Sequence, residues 1–303
     1  MSAKIVLGHA GWLGLGKWRW ARALLWLIGL AVLCILTFNL AADATLRLWG
    51  LATGEPFTTR AAAPHAARLL AVSVAAIAML CAYALAVRFV ERRPAQELAL
   101  RPLLIDLIAG LVIGGALIAA IIGILWAAGW VTIVSSPVTQ ITESIKEAIQ
   151  SGVIEEVLMR LIIFRLLWRA TGVVPALLAT GVVFGALHLA NPDATIFAGI
   201  CLLAGEGVGI ALYMLTGRVW ASVGMHAGWN FVQGWLFGSA VSGLSFFAGG
   251  PLLTRPIAGV SDMLSGGGFG PEASFAALGV SLVASLVGLG AAWRKGAFAA
   301  IDR

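Results

Sequence analysis

The stretch VIEEVLMRLIIFRLLW, residues 153–168, sets two adjacent glutamates, Glu155 and Glu156, inside an apolar run with Arg160 one helical turn further on. A charged group at the centre of a hydrocarbon layer costs roughly 2.5–3.5 kcal/mol or more, so such residues mark functional sites by default. Glu156 and Arg160 are four apart and pair on one helix face. Glu155 projects about 100° away from Glu156, as the 3.6-residue period requires. One carboxylate is thereby neutralised within its helix, and the other is left for a cavity.

Working outward, the composition supports a lipid setting. Of 303 residues, 60% are hydrophobic and only 11% charged, where soluble domains carry roughly 25% charged residues. The fold class expected is all-α, a polytopic membrane protein in one integral domain. The net charge of +6 is spread over helix ends with no basic stripe among aromatics, so it reads as a topology signal and excludes nucleic acid as a partner. Cys34, Cys81 and Cys201 lie in separate apolar runs without a paired framework and read as small core hydrophobes. The first apolar run is too long for a signal peptide and reads as an anchor.

Eight segments of spanning length are expected, at about 20–42, 69–90, 103–134, 153–168, 174–189, 195–215, 220–237 and 274–293. Ahead of the fourth, Ile141, Ile145, Ile149 and Val153 recur every four residues with Glu143, Lys146, Glu147 and Gln150 between them. This is an amphipathic helix, read as lying along the interface. Ser136 is its expected cap, with Pro137 at the first position, and 137–170 reads as one long helix or as two in tandem with a break near Ser151–Gly152. Lys4, Lys17, Arg19, Arg22, Arg88, Arg92, Arg93, Arg101, Arg165, Arg169, Arg218, Arg294, Lys295 and Arg303 fall on one side of such an eight-span chain. Only Arg47, Arg60, Arg68 and Arg255 fall on the other. That bias puts both termini in the cytoplasm. Gly243–Pro271 reads as a flexible outer loop. Gly110–Gly114 and Gly205–Gly209 have the small-residue spacing of close helix contacts. The chain divides into an N-terminal three-helix region (1–136), a central core (137–238) and an outer loop with a last helix (239–303).

Two further segments carry acid–base groups. Glu155 lies roughly 21 Å from the cytoplasmic end of its helix at 1.5 Å per residue. His188 is roughly 21 Å into its own segment, and His226 and Asn230 are roughly 10 and 16 Å into theirs. Three helices thus bring polar groups to comparable depth. Opposing shifts from an apolar cleft and nearby cations leave Glu155 basic enough to take a proton from water, with His188 holding that water. His226 and Asn230, four apart on one face, suit an oxyanion, and Phe184 sits one turn before His188.

Glu155–Glu156–x–x–x–Arg160, Phe184–x–x–x–His188 and His226–x–x–x–Asn230 resemble, in order, the three motifs of the CAAX protease and bacteriocin-processing family, whose members are intramembrane endopeptidases. The resemblance spans about 137–237. It implies Glu155 as general base, His188 assisting it, and His226 with Asn230 stabilising the oxyanion. Glu156, Arg160 and Phe184 become supporting residues. The substrate implied is a membrane protein or peptide, and the location a cell inner membrane crossed many times. Zinc is admitted, since Glu155, His188 and His226 form a known type of ligand set. Asn230 is better suited to donating a hydrogen bond, which favours a glutamate-activated water without metal.

Blander readings stand beside these. Glu156–Arg160 can simply bind helices together. Glu206 lines the cavity or pairs with a histidine, without a catalytic role, and His9 and His65 are solvated. The absence of HExxH argues against the zinc site-2 class, no GxGD occurs, and Ser245 has no matching histidine helix. The main alternative is a catalytically inactive relative acting as a bacteriocin-immunity or scaffold protein. A proton-coupled transporter would show inverted repeats, and none is seen in the sequence.

Overall fold

The computed structural model describes residues 5–14, 16–54 and 56–299; Lys4 and Arg303 of the charge pattern lie outside them. Its helices are α1 (Arg19–Thr53), α2 (His65–Val90), α3 (Leu103–Ala127), α4 (Ile141–Glu156), α5 (Arg165–Thr171), α6 (Val173–Leu187), α7 (Ile196–Thr216), α8 (Trp220–Phe231), α9 (Asp262–Ser265) and α10 (Phe275–Arg294). Two strands, β1 (Val131–Ser135) and β2 (Leu252–Pro256), pair antiparallel. The chain is a polytopic α-helical membrane protein.

Among the described residues, six helical segments are long and apolar enough to cross a membrane: α1, α2, α3, Val173–Ala190, α7 and α10. Their outward faces carry bare Leu, Ile and Val, such as Ile105 at 75% and Val287 at 68% exposure. Such faces need hydrocarbon around them. The two motif segments 153–168 and 220–237 are helical too, but each is divided. A π-helical stretch, Val157–Phe164, joins α4 to α5, and another, Val232–Leu236, extends α8. The first is mostly buried inside the bundle, and the second buries Gln233 and Gly234.

Packing explains their position. α8 lies against α3 and α4, α7 against α10 and α6, and α1 against α2. At the α3–α8 contact the backbones nearly touch. A Cβ on Gly114 would sit 1.9 Å from the Met225 carbonyl oxygen, and one on Gly228 would sit 2.4 Å from that of Leu111. The small residues read at 110 and 114 therefore let the His226 helix settle into the middle of the molecule.

Several expectations change. The third apolar segment does not run helically to Val134: α3 stops at Ala127, and the β-branched run Val131–Val134 pairs with β2 instead. Ser136 does not cap α4. Its backbone N–H donates to the Pro251 carbonyl, which continues the strand pairing, and the helix starts at Ile141 after Gln140 in the left-handed region. Of the two readings of 137–170, the continuous helix holds at Ser151–Gly152: α4 runs through it, and the change of winding comes at Val157.

The amphipathic stripe of α4 faces outward over its first two turns only, since Ile149 packs on the core and Val153 is buried. Ile141 and Ile145 are exposed, while Glu143, Ser144 and Lys146 are buried. With lipid outside, the apolar face there turns outward and the polar face turns in. The outer loop is structured as well, holding β2, α9 and a 3-10 turn at Pro271–Ala273. Cys34 and Cys201 are buried, but Cys81 is exposed on the outer face of α2. His65 is mostly exposed yet pairs with Glu143 at 3.0 Å, and His9 is half-buried.

Candidate active site

The polar face of α4 opens on a cavity of about 380 Å³ whose wall includes Glu147, Gln150, Ser151 and Glu155. α6 contributes Phe184 and its end residue His188, and α8 contributes His226, Trp229 and Asn230. All four candidate catalytic residues thus share one cavity. Arg160 and Glu206 line its inner side.

Glu155 is the centre of this arrangement. Its Oε2 lies 3.6 Å from Nε2 of His226 and 3.8 Å from Nε2 of His188, and it has no hydrogen-bond partner. These separations are too long for direct hydrogen bonds and suit a water held between the groups. Each imidazole is fixed from behind. Nδ1 of His188 lies 2.8 Å from the Phe184 carbonyl oxygen, an acceptor, so Nδ1 carries the proton and Nε2 of the neutral ring offers a lone pair. Nδ1 of His226 lies 2.9 Å from Oε1 of Glu156. The four-residue spacing of Phe184 and His188 therefore works through a backbone carbonyl as well as through the ring, which stands 4.6 Å from the imidazole centroid to centroid.

Behind His226 runs a fully buried ion chain. Arg160 Nε stands 2.8 Å from Glu156 Oε2, and its Nη1 donates to Glu206 Oε1 at 2.6 Å. Glu206 pairs with the arginine, not with a histidine. Gly209 makes room for the guanidinium: a Cβ there would meet Arg160 Nη2 at 1.7 Å. The stripe Gly205–Gly209 thus seats a charge besides allowing close packing.

Asn230 faces the cavity, and its Nδ2 donates to Ser151 Oγ at 2.9 Å. Ser151 escaped the sequence reading although it lies four residues before Glu155, on the same helix face. Glu272 escaped it too, because it sits far along the chain, just past the loop read as flexible. It is buried in the cavity wall.

A zinc ion would need donor atoms about 2.0–2.2 Å from one point. Among the described residues no three His, Cys, Asp or Glu side chains are arranged to hold a metal ion.

Fold and cavity define a class: a multi-pass helical membrane protein with a half-buried glutamate–histidine centre lining a cavity. Residues 137–232 match the family model described as type II CAAX prenyl endopeptidase Rce1-like. The matched third of the chain is similar to that family and holds all seven motif residues. It ends before β2, Glu272 and α10. No curated protein and no solved structure matches the chain.

Proposed function

We propose that this protein is an intramembrane endopeptidase that hydrolyses a peptide bond of a membrane protein or peptide with a glutamate-activated water. The observation that carries this is the convergence of Nε2 of His188 and His226 on the unbonded Oε2 of Glu155 at 3.8 and 3.6 Å. The family match over 137–232 supports a protease.

In this reading a water donates one hydrogen bond to Glu155 and another to Nε2 of His188. Glu155 takes a proton from the water as its oxygen attacks the scissile carbonyl carbon. The carbonyl oxygen becomes an oxyanion held by the amide of Asn230 and by Nε2–H of His226 in its protonated form. The C–N bond then breaks, and the proton on Glu155 passes to the departing amine. One water is consumed and two termini appear. Asn230 needs one N–H for this, and its Nδ2 has a second for Ser151.

Glu155→Gln keeps the shape of the side chain and removes the base. New peptide termini in membranes of the wild-type strain that vanish in the Glu155→Gln strain are the expected result. Identical termini in both strains would leave an inactive scaffold as the better reading.

A further inference from the structure

We propose that Glu272, outside the motif-bearing segment, is a positioning residue of this site that ties the outer loop to both histidine-bearing elements. The inference rests on the peptidase reading for its kinetic consequence but not for its structural one.

Glu272 lies in the turn before α10 and is only 4% exposed. Three donors converge on it. Oε1 accepts from both the backbone N–H and the hydroxyl of Ser242, and Oε2 accepts from Nε1 of Trp229 at 3.1 Å. Trp229 directly precedes Asn230 on α8. It also donates to Gln233 Oε1 at 2.9 Å, and Gln233 Nε2 donates to the Ala240 carbonyl at 2.7 Å.

From Ser242 the network runs the other way. Its carbonyl accepts from Asn191 Nδ2 at 2.9 Å, and the Asn191 backbone N–H donates to the His188 carbonyl at 3.1 Å. Glu272 is thus the junction between the turn carrying His188 and the helix carrying His226 and Asn230. Ser242 has φ of 48°, a conformation that costs energy for a non-glycine residue. Its two bonds to one buried carboxylate hold it there. Removing the carboxylate frees the loop, exposes buried donors, and unpins His188 and Trp229 together.

Cys201 gives a readout independent of activity. It lines the same cavity, is 3% exposed, and its Sγ donates to the carbonyl of Ser274, two residues past Glu272. Cys34 is buried in another part of the bundle and serves as an internal reference.

The full-length protein in detergent is treated with N-ethylmaleimide, and labelling of Cys201 and Cys34 is followed by peptide mass spectrometry. Glu272→Ala is expected to raise Cys201 labelling about tenfold relative to Cys34, as for local opening. Glu272→Gln keeps an oxygen for Ser242 and is expected to stay near the wild-type ratio. In a cleavage assay Glu272→Ala is expected to lower kcat about 10–100-fold with little change in KM, the mark of lost alignment.

An unchanged labelling ratio in Glu272→Ala, equal rises at both cysteines, or Glu272→Gln as open as Glu272→Ala overturns the proposal. Should Glu272→Ala fail to accumulate, Ser242→Ala cuts the loop-side hydroxyl bond to Oε1 without removing charge. It must then raise the Cys201 ratio, or the proposal falls. If Glu155→Gln leaves cleavage intact, the peptidase reading fails alone, and the labelling ratio still decides the role of Glu272.

Discussion

His226 is gripped between consecutive carboxylates of one helix: Glu156 Oε1 stands 2.9 Å from its Nδ1, and Glu155 Oε2 stands 3.6 Å from its Nε2. The 100° step between neighbours on a helix is what lets one residue orient the ring while the next meets it across a cavity. Glu156 has a second task, since Arg160 rests against its other oxygen.

Substituting Glu156 by Ala therefore removes an orienting group and half of the charge around a buried guanidinium. Breaking a buried pair costs about 3–5 kcal/mol, so the unfolding temperature of the purified protein should fall markedly. Glu156→Gln keeps an acceptor for Nδ1 and should retain more cleavage activity than Glu156→Ala. Equal activity in the two variants would show that His226 needs no partner at Nδ1.

Gly209 offers a test at a position with no chemistry of its own. The added methyl group of Gly209→Ala falls on Arg160, whose guanidinium must shift away from Glu206 or Glu156. Overpacking costs about 1–3 kcal/mol, and the displaced charge disturbs His226 through Glu156. Loss of both thermal stability and cleavage is expected. Gly205→Ala, whose methyl would meet only Ser281 at ordinary contact distance, should behave nearly as wild type. A Gly209→Ala protein with wild-type stability would show that the helices yield there.

Much of this site was legible because its parts are local. Glu156–Arg160, Phe184–His188 and His226–Asn230 are each four apart, and helical period alone puts each pair on one face. The apolar segments around them announce the lipid. What escaped is what depends on contacts far along the chain. Nothing near Glu206 says that Arg160 will reach it across 46 residues, and nothing near Glu272 says that a loop will carry it into the cavity wall.

The outward turn of Ile141 and Ile145 agrees with an α4 that starts along the interface. An isoleucine stripe means a buried face in water, whereas in lipid the same stripe turns outward. The winding change at Val157–Phe164 leaves no signature in residue type, because its apolar residues suit an α-helix equally well.

Asn230 and Ser151 separate transition-state binding from support. Losing an oxyanion donor lowers kcat by about 100–1,000-fold, so Asn230→Ala should show that drop with KM nearly unchanged. Ser151→Ala removes only the acceptor at 2.9 Å from Nδ2, leaving the amide in place but less fixed. A decrease of about tenfold or less in kcat is expected, consistent with a modest net hydrogen-bond contribution. If Asn230→Ala raised KM and spared kcat, Asn230 would be binding the ground state instead.

A second charged cluster, remote from the cavity, sets how the protein responds to acid. Glu91 accepts from Arg165 Nη2 at 2.7 Å and Nη1 at 2.9 Å, from Arg93 at 2.8 Å and from Trp26 at 2.9 Å. Glu97 accepts from Arg93 at 2.8 and 2.9 Å and from Tyr83. Burial pushes both carboxyls up, but the arginines outweigh it, and both end below their ordinary value of 4.5. A carboxyl lowered in the folded state stabilises it at pH above the unfolded value, and that stabilisation is lost as pH falls through the lower, folded value. The share of the unfolding temperature owed to this cluster should therefore stay level down to about pH 5 and fall below about pH 4. Arg165→Leu takes away the cation that pairs with Glu91 through two bonds, so its fall should begin at higher pH, on top of a loss of about 3–5 kcal/mol at neutral pH from the broken pair. Parallel curves for the two proteins across pH 3–7 would mean that Glu91 keeps its proton affinity without Arg165, and Arg93 alone would then account for its charge.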